Sequence, residues 1–290
     1  MMKYYFIINP KAGKKHGDIV SVIKDAAGRH EWTYDFTRYA GHASELASEA
    51  VKQGYSAIIA AGGDGTIQET ARGIFGKNVK FGLLPCGSGN GLARNLAIPL
   101  NVKSAAEGVF RWEARPVDAG LANGKLFLVS CGVGLDADVA HCFNSQSHGR
   151  GILPYVWHSL HIYFTYKPKV FNAEIDGEKC QLGGLVLTAM VGEQYGGGAK
   201  IAPMAAIDDG YLDLCSVKPV GTLRLLRYLP GLFNATLHKH PDIYKDIRCR
   251  KALLEYGKPF WFHLDGEDFF CEEGRIAIQI QDKAFNMIRP

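Results

Sequence analysis

The opening third of the chain alternates short apolar runs with stretches whose apolar residues recur every three to four positions. Tyr4–Ile8, Trp32–Thr37, Ala57–Ala61 and Phe81–Leu84 read as strands. Ile19–Ala27, Ala43–Gln53, Ile67–Phe75 and a stretch from Leu92 read as helices between and after them. This alternation predicts a doubly wound, three-layer α/β domain, with ligands at the carboxyl ends of its parallel strands.

After Pro116 the pattern shifts toward short strands. Asp118–Leu121 and Lys125–Ser130 flank Asn123-Gly124, a hairpin turn signal. Val170–Ile175, Gly184–Val191, Tyr211–Val217, Phe260–Leu264 and Arg275–Gln281 follow, with helical stretches at Pro154–Tyr166 and Thr222–His238. We expect an α/β nucleotide-binding domain at 1–115 and a mainly antiparallel β-sandwich domain at 116–283. Residues 284–290 are expected to rejoin the first domain.

Three glycine-bearing loops close strands of the first domain: Asn9-Pro10-Lys11-Ala12-Gly13, Gly62-Gly63-Asp64-Gly65-Thr66, and Pro85-Cys86-Gly87-Ser88-Gly89-Asn90-Gly91. Glycine lets a phosphate approach the backbone, and a helix start offers N–H groups and a favourable dipole. An aspartate among these glycines repels a phosphate unless a metal or a transferable proton lies between them, so the second loop points to phosphate chemistry. Neither GxGxxG nor GxxxxGK[ST] is present: residue 92 is Leu where the first pattern needs Gly.

Composition narrows this further. The net charge of +4 demands no nucleic-acid partner, and glycine contributes 34 of the 290 residues. The seven cysteines form no CxxC pair, so a reducing cytoplasm is expected rather than a disulfide framework or a zinc site. The chain enters a strand at Lys3 without a secretory signal, and no apolar stretch is long enough to span a bilayer.

Taken in order, the motifs resemble those of the diacylglycerol kinase catalytic-domain family, which includes bacterial lipid kinases and sphingosine and ceramide kinases. Asn9-Pro10 with Gly13 resembles its first nucleotide loop, Gly62–Thr66 with Glu69 its signature, and Pro85–Arg94 its third loop. Gly132–Ala137 is similar to its following hairpin. Gly196-Gly197-Gly198, Pro203 and Asp209-Gly210 match its second-domain motif, and Asp265-Gly266-Glu267 its late catalytic element. The resemblance spans essentially the whole chain.

It implies an ATP- and Mg²⁺-dependent kinase acting on a lipid hydroxyl in an interdomain cleft. Asn9, Pro10, Gly13, Thr37, Gly62, Gly63, Asp64, Gly65, Thr66, Glu69, Gly87, Ser88, Gly89 and Asn90 would line the nucleotide site. Asp265 would be the general base, and Asp64 and Glu267 would hold Mg²⁺; Asp64 competes for the role of base. A second, structural Mg²⁺ would bind Asp209 with the carbonyls of Ala206 and Tyr211. Two departures stand out: Gly91 where many family members carry Asp, and Glu193 where Asn is common.

On the lipid side, Val156–Tyr166 carries Trp157, Leu160, Ile162, Tyr163 and Phe164. Leu223–Leu237 followed by the basic run His238–Lys251 forms an amphipathic segment suited to a membrane interface. A peripheral cytoplasmic lipid kinase of phospholipid metabolism is the expectation, and a free strand edge of the second domain would offer a route to a homodimer. The alternatives are an NAD kinase-like small-alcohol kinase, whose Asn-Glu pair is missing, and a catalytically inactive lipid- or nucleotide-binding regulator.

Overall fold

The structure is a computed structural model, and it describes residues 2–12, 18–145 and 166–290. Gly13 and the segment carrying Trp157, Leu160, Ile162, Tyr163 and Phe164 lie outside the described residues. The chain divides into two compact units, residues 1–117 with 283–290 and residues 118–282.

The first unit is built on the parallel strands β1 (Lys3–Ile8), β2 (Glu31–Phe36), β3 (Ala57–Gly62) and β4 (Lys80–Pro85), ordered β2-β1-β3-β4. The terminal segment extends the sheet, with Asn286 and Met287 pairing in parallel with Lys80 and Phe81. All six β3 residues are buried, as an interior parallel strand covered on both faces requires, whereas edge strand β2 is mostly exposed.

Moving from β1 out to β2 and then back across to β3 and β4 puts successive right-handed crossovers on opposite faces. Helix α1 (Ile19–Ala27) packs with α5 (Val102–Val109) on one side, and α2 (His42–Lys52) with α3 (Asp64–Ile74) on the other. Asp18 caps α1 by accepting the Val20 N–H at 3.0 Å, and Asn101 caps α5 through Ser104 N–H at 3.1 Å. The short α4 (Gly91–Asn95) leaves the third loop.

The second unit is antiparallel. Its sequence runs β5 (Ala114–Ala122), β6 (Lys125–Phe127), β7 (Ser130–Gly132), α6 (Leu135–Ser145), β8 (Lys169–Ile175), β9 (Glu178–Gly184), β10 (Val186–Met190) and β11 (Leu212–Val217). Then come α7 (Thr222–Phe233), β12 (Tyr244–Cys249), β13 (Lys251–Glu255), β14 (Phe260–Leu264), β15 (Glu267–Cys271) and β16 (Arg275–Ile288). One sheet of the sandwich is ordered β16-β13-β8-β9, with β5 paired to β16 and β6 to β5; the other is β12-β11-β10-β7-β14-β15. Asn123 and Gly124 both take positive φ, 46° and 77°, in the β5–β6 turn.

Several elements differ from the sequence expectation. Helix α3 starts at Asp64 itself, so Gly65 and Thr66 belong to its first turn. Gly132–Ala137 is a strand-to-helix passage rather than a hairpin, because α6 follows β7 directly. The basic run after α7 is not an amphipathic helix: it makes one tight turn, Leu237–Lys239, and then strand β12, buried at Tyr244 and Cys249 with Lys245, Asp246 and Arg248 exposed. The Gly184–Val191 run breaks at Leu185 between β9 and β10.

The α2–α3 contact depends on Gly73. A Cβ there would collide with the Ser44 carbonyl oxygen and lie 2.8 Å from the Ala47 Cβ, while Ser48 Oγ donates to the Gly73 carbonyl at 3.1 Å. Gly73→Ala gains about 1 kcal/mol of helix propensity. Overpacking against backbone costs roughly 1–3 kcal/mol, so the variant should unfold at lower urea concentration. A stabilised Gly73→Ala protein would show that the two helices do not approach this closely.

Candidate functional site

The carboxyl ends of β1, β3 and β4 lie side by side, and each feeds one of the glycine-bearing loops. Asn9 N–H extends the ladder to the Ala61 carbonyl at 2.9 Å. The Asn9 side chain donates to Thr66 Oγ1 at 3.0 Å and accepts the Lys11 N–H at 2.9 Å. The first loop is therefore tied to the first turn of α3. Thr37 N–H reaches the Ile8 carbonyl at 2.9 Å, which places Thr37 on the same edge.

The second and third loops touch through backbone. A Cβ on Gly87 would lie 2.7 Å from the Gly63 Cα, and one on Gly62 would collide with the Thr66 side chain. Only glycine allows this approach. Asp64 fastens the contact: its carboxylate accepts N–H groups from Asn90 at 2.9 Å and Gly91 at 2.8 Å. Asn90 sits in the left-handed region, φ 52°, and its amide closes the loop on itself through Gly87 N–H and C=O, both at 3.0 Å. Gly91 takes part through its main chain alone, so the departure at this position leaves the Asp64 anchor intact. Burial raises the Asp64 pKa, against the two N–H bonds and the Arg94 charge, which lower it.

Glu69 does something the sequence did not suggest. Its Oε2 accepts the Ala43 N–H at 3.2 Å and so caps α2, whose own cap position, Gly41, has no side chain. Ser88 is exposed at the tip of the third loop, and Pro10 is exposed in the first.

In the second unit, Asp265 occupies the β14–β15 turn with φ 51°, followed by Gly266 at 87°. Its carboxylate accepts three consecutive N–H groups, Leu128 at 2.7 Å, Val129 at 2.8 Å and Ser130 at 2.9 Å. The residue as a whole is partly buried, yet the carboxylate is turned inward beneath this segment. Burial raises its pKa, and the three N–H bonds oppose that rise. Glu267 is exposed at the start of β15.

A neighbouring cluster was invisible to motif spacing. The Asp136 carboxylate accepts Gly134 N–H at 3.1 Å, Ala137 N–H at 3.0 Å and the Tyr195 hydroxyl at 3.1 Å, and it lies 3.2 Å from His263 Nε2. His263 Nδ1 accepts the Gly266 N–H at 3.3 Å, so the proton of the neutral ring belongs on Nε2, toward Asp136. Buried Cys131 lies between the charges of Asp136 and Asp265, and burial first, then both carboxylates, push its thiol well up. Tyr195 leads into Gly196–Gly198, all at positive φ. Glu193 pairs with Lys200 at 2.9 Å, which gives the unexpected glutamate a partner.

Among the described residues, no group of three or more His, Cys, Asp or Glu converges as a metal site. Asp64 in the first unit and Glu267 in the second are each hard oxygen donors of the type Mg²⁺ takes. The Asp209 set does not fit a second ion as arranged. Asp209 Oδ1 accepts the Tyr211 N–H at 3.0 Å, and Oδ2 holds the Arg248 guanidinium at 2.6 Å.

The family model "Diacylglycerol kinase catalytic domain" matches residues 3–122, and "YegS C-terminal NAD kinase beta sandwich-like domain" matches residues 129–283. The chain is 31% identical to a diacylglycerol kinase of Bacillus subtilis (strain 168) over 276 residues, 92% of this chain and 90% of that one. It is 31% identical to a Cronobacter sakazakii protein named "Probable lipid kinase YegS-like", covering 82% and 80% of the two chains. A solved diacylglycerol kinase structure from Bacillus anthracis str. Sterne has the same fold, with a TM-score of 0.75 at 21% identity and coverage of 99% and 97%.

Asp265 makes a stability test available. Asp265→Ala strands three loop N–H groups, and each unsatisfied buried donor costs about 1–3 kcal/mol. Asp265→Asn keeps an acceptor oxygen and should lose less. Equal urea midpoints for Asp265→Ala and the parent protein would contradict the anchoring role.

Proposed function

Because the chain belongs to the diacylglycerol kinase catalytic-domain family, we propose that it is an ATP- and Mg²⁺-dependent kinase that phosphorylates a lipid hydroxyl. The observation that carries this reading is the Asp64 anchor, which locks two glycine loops together at adjacent strand ends. Loops fixed in this way, with the α3 start between them, present main-chain donors that suit a polyphosphate.

Phosphoryl transfer asks mainly for positioning and charge neutralisation. Asn9, Thr37, Gly62–Thr66 and Gly87–Asn90 would bind and orient the nucleotide, with Gly13 completing the first loop. Asp64 and Glu267 would hold Mg²⁺, which when bound offsets the phosphate charge. Asp265 would take the proton of the lipid hydroxyl; burial strengthens it as a base, and its three loop donors fix its direction. The lipid would arrive from a membrane surface. Helix α7 supports this, since it exposes Leu229 (40%) and Phe233 (55%) on one face and Arg224 and Arg227 on the other. No helix among the described residues is long and apolar enough to cross a membrane.

Incubation with labelled ATP and separate diacylglycerol, monoacylglycerol, sphingoid-base and ceramide vesicles should label at least one lipid. Folded protein that labels none of them would overturn the reading, and label on NAD in a parallel incubation supplied with NAD would move it to the small-alcohol alternative. Asp265→Asn should lower turnover by about 10²–10⁴ while nucleotide affinity stays unchanged. Unaltered turnover would remove Asp265 from the proton transfer.

A further inference from the structure

The turn Ala206–Tyr211 enters β11, and its charges are arranged around Arg248 on the neighbouring strand β12. Arg248 stands directly opposite Asp213 in the β11–β12 register. From there its Nη2 donates to Asp209 Oδ2 at 2.6 Å, and its guanidinium lies 4.3 Å from the Tyr211 ring centroid. A single side chain thus spans the turn, the ring that follows it and the buried Asp213. Arg250 approaches from beside it, 5.6 Å from the same ring, and a Cβ on Gly210 would lie 3.3 Å from its Nη1. On the inner side, Gly210 N–H donates to Asp118 Oδ2 at 2.6 Å.

The electrostatic need here is for a cation. Asp209 and Asp213 bring two carboxylates to the start of β11, and Asp246 adds a third further along β12, opposite Cys215. A divalent ion at Asp209 would meet that need, but the carboxylate oxygens already hold Tyr211 N–H and the guanidinium. Arginine suits this position because its planar group can pair with a carboxylate and stack on an aromatic ring at once.

We propose that Arg248 performs in this chain the structural role that the family resemblance gives to a second Mg²⁺, so that the second unit is held without a metal at Asp209. This inference does not rest on the proposed catalytic function. It is tested by thermal unfolding of the full chain in excess EDTA and in excess magnesium chloride. Parent protein should melt at the same temperature in both. Arg248→Gln should melt about 2–4 °C lower in EDTA and recover in magnesium, as the exposed Asp209 site takes the ion. Adding Asp209→Asn to Arg248→Gln should abolish that recovery.

Three results would overturn the proposal. One is a magnesium-dependent gain in the parent protein that Asp209→Asn removes. Another is an Arg248→Gln protein as stable as the parent in EDTA. The third is destabilisation of Arg248→Gln that magnesium does not reverse, which would leave Arg248 an ordinary ion-pair partner.

Discussion

A carboxylate withdrawn from water must find N–H donors or lose its charge, and the desolvation of an unpaired ion costs several kcal/mol. Each unit meets this demand with main-chain amides. Asp64 takes those of Asn90 and Gly91, 26 and 27 residues further on. Asp265 takes those of Leu128, Val129 and Ser130, which lie more than a hundred residues earlier. The third loop also closes on itself through Asn90 and Gly87. The aspartates fasten both loops, and each loop in turn stabilises the charge of its aspartate.

This reciprocity explains why the structural and chemical readings of these residues coincide. Burial raises the pKa of both Asp64 and Asp265, and the same loop donors hold each carboxylate in one direction. A group that is both oriented and more basic than a surface carboxylate suits metal binding or proton transfer. The hydrogen bond from Gly266 N–H to His263 extends the arrangement from the Asp265 turn to Asp136, and from there to Tyr195 at the head of the triple glycine. The conformation of that turn is therefore coupled to a polar network deep in the second unit.

Much of the first unit was legible because its signals are local. Buried parallel strands such as Ala57–Gly62 are uninterrupted apolar runs, and Gly63 and Gly87 of the second and third loops bring backbone against backbone. The Asn123-Gly124 turn was equally readable, since both residues accept positive φ. The second unit hid more. Lys245, Asp246 and Arg248 give β12 a charged, helix-like appearance, and only pairing with β11 reveals it as a strand. The weakly amphipathic α6, with acidic Asp136 and Asp138 in its first turn, offered no clear helical period. The Asp136–His263 and Asp136–Tyr195 contacts join positions 127 and 59 residues apart, so no spacing rule could have found them.

The two places where carboxylates call for positive charge differ in what they require of it. At Asp209 the charge has only to stay, closing a turn onto a strand, and a tethered guanidinium that also covers Tyr211 does this without an ion. Phosphoryl transfer needs a cation that shares its coordination with the substrate phosphates and can leave with the product, and a tethered arginine cannot exchange in that way. At Asp64, Arg94 is near enough to lower the pKa, but its Nε donates to the Gly89 carbonyl at 3.1 Å. The carboxylate itself is held by neutral amides. A structural cation can thus be replaced by a side chain, whereas one that takes part in phosphoryl transfer has to remain exchangeable.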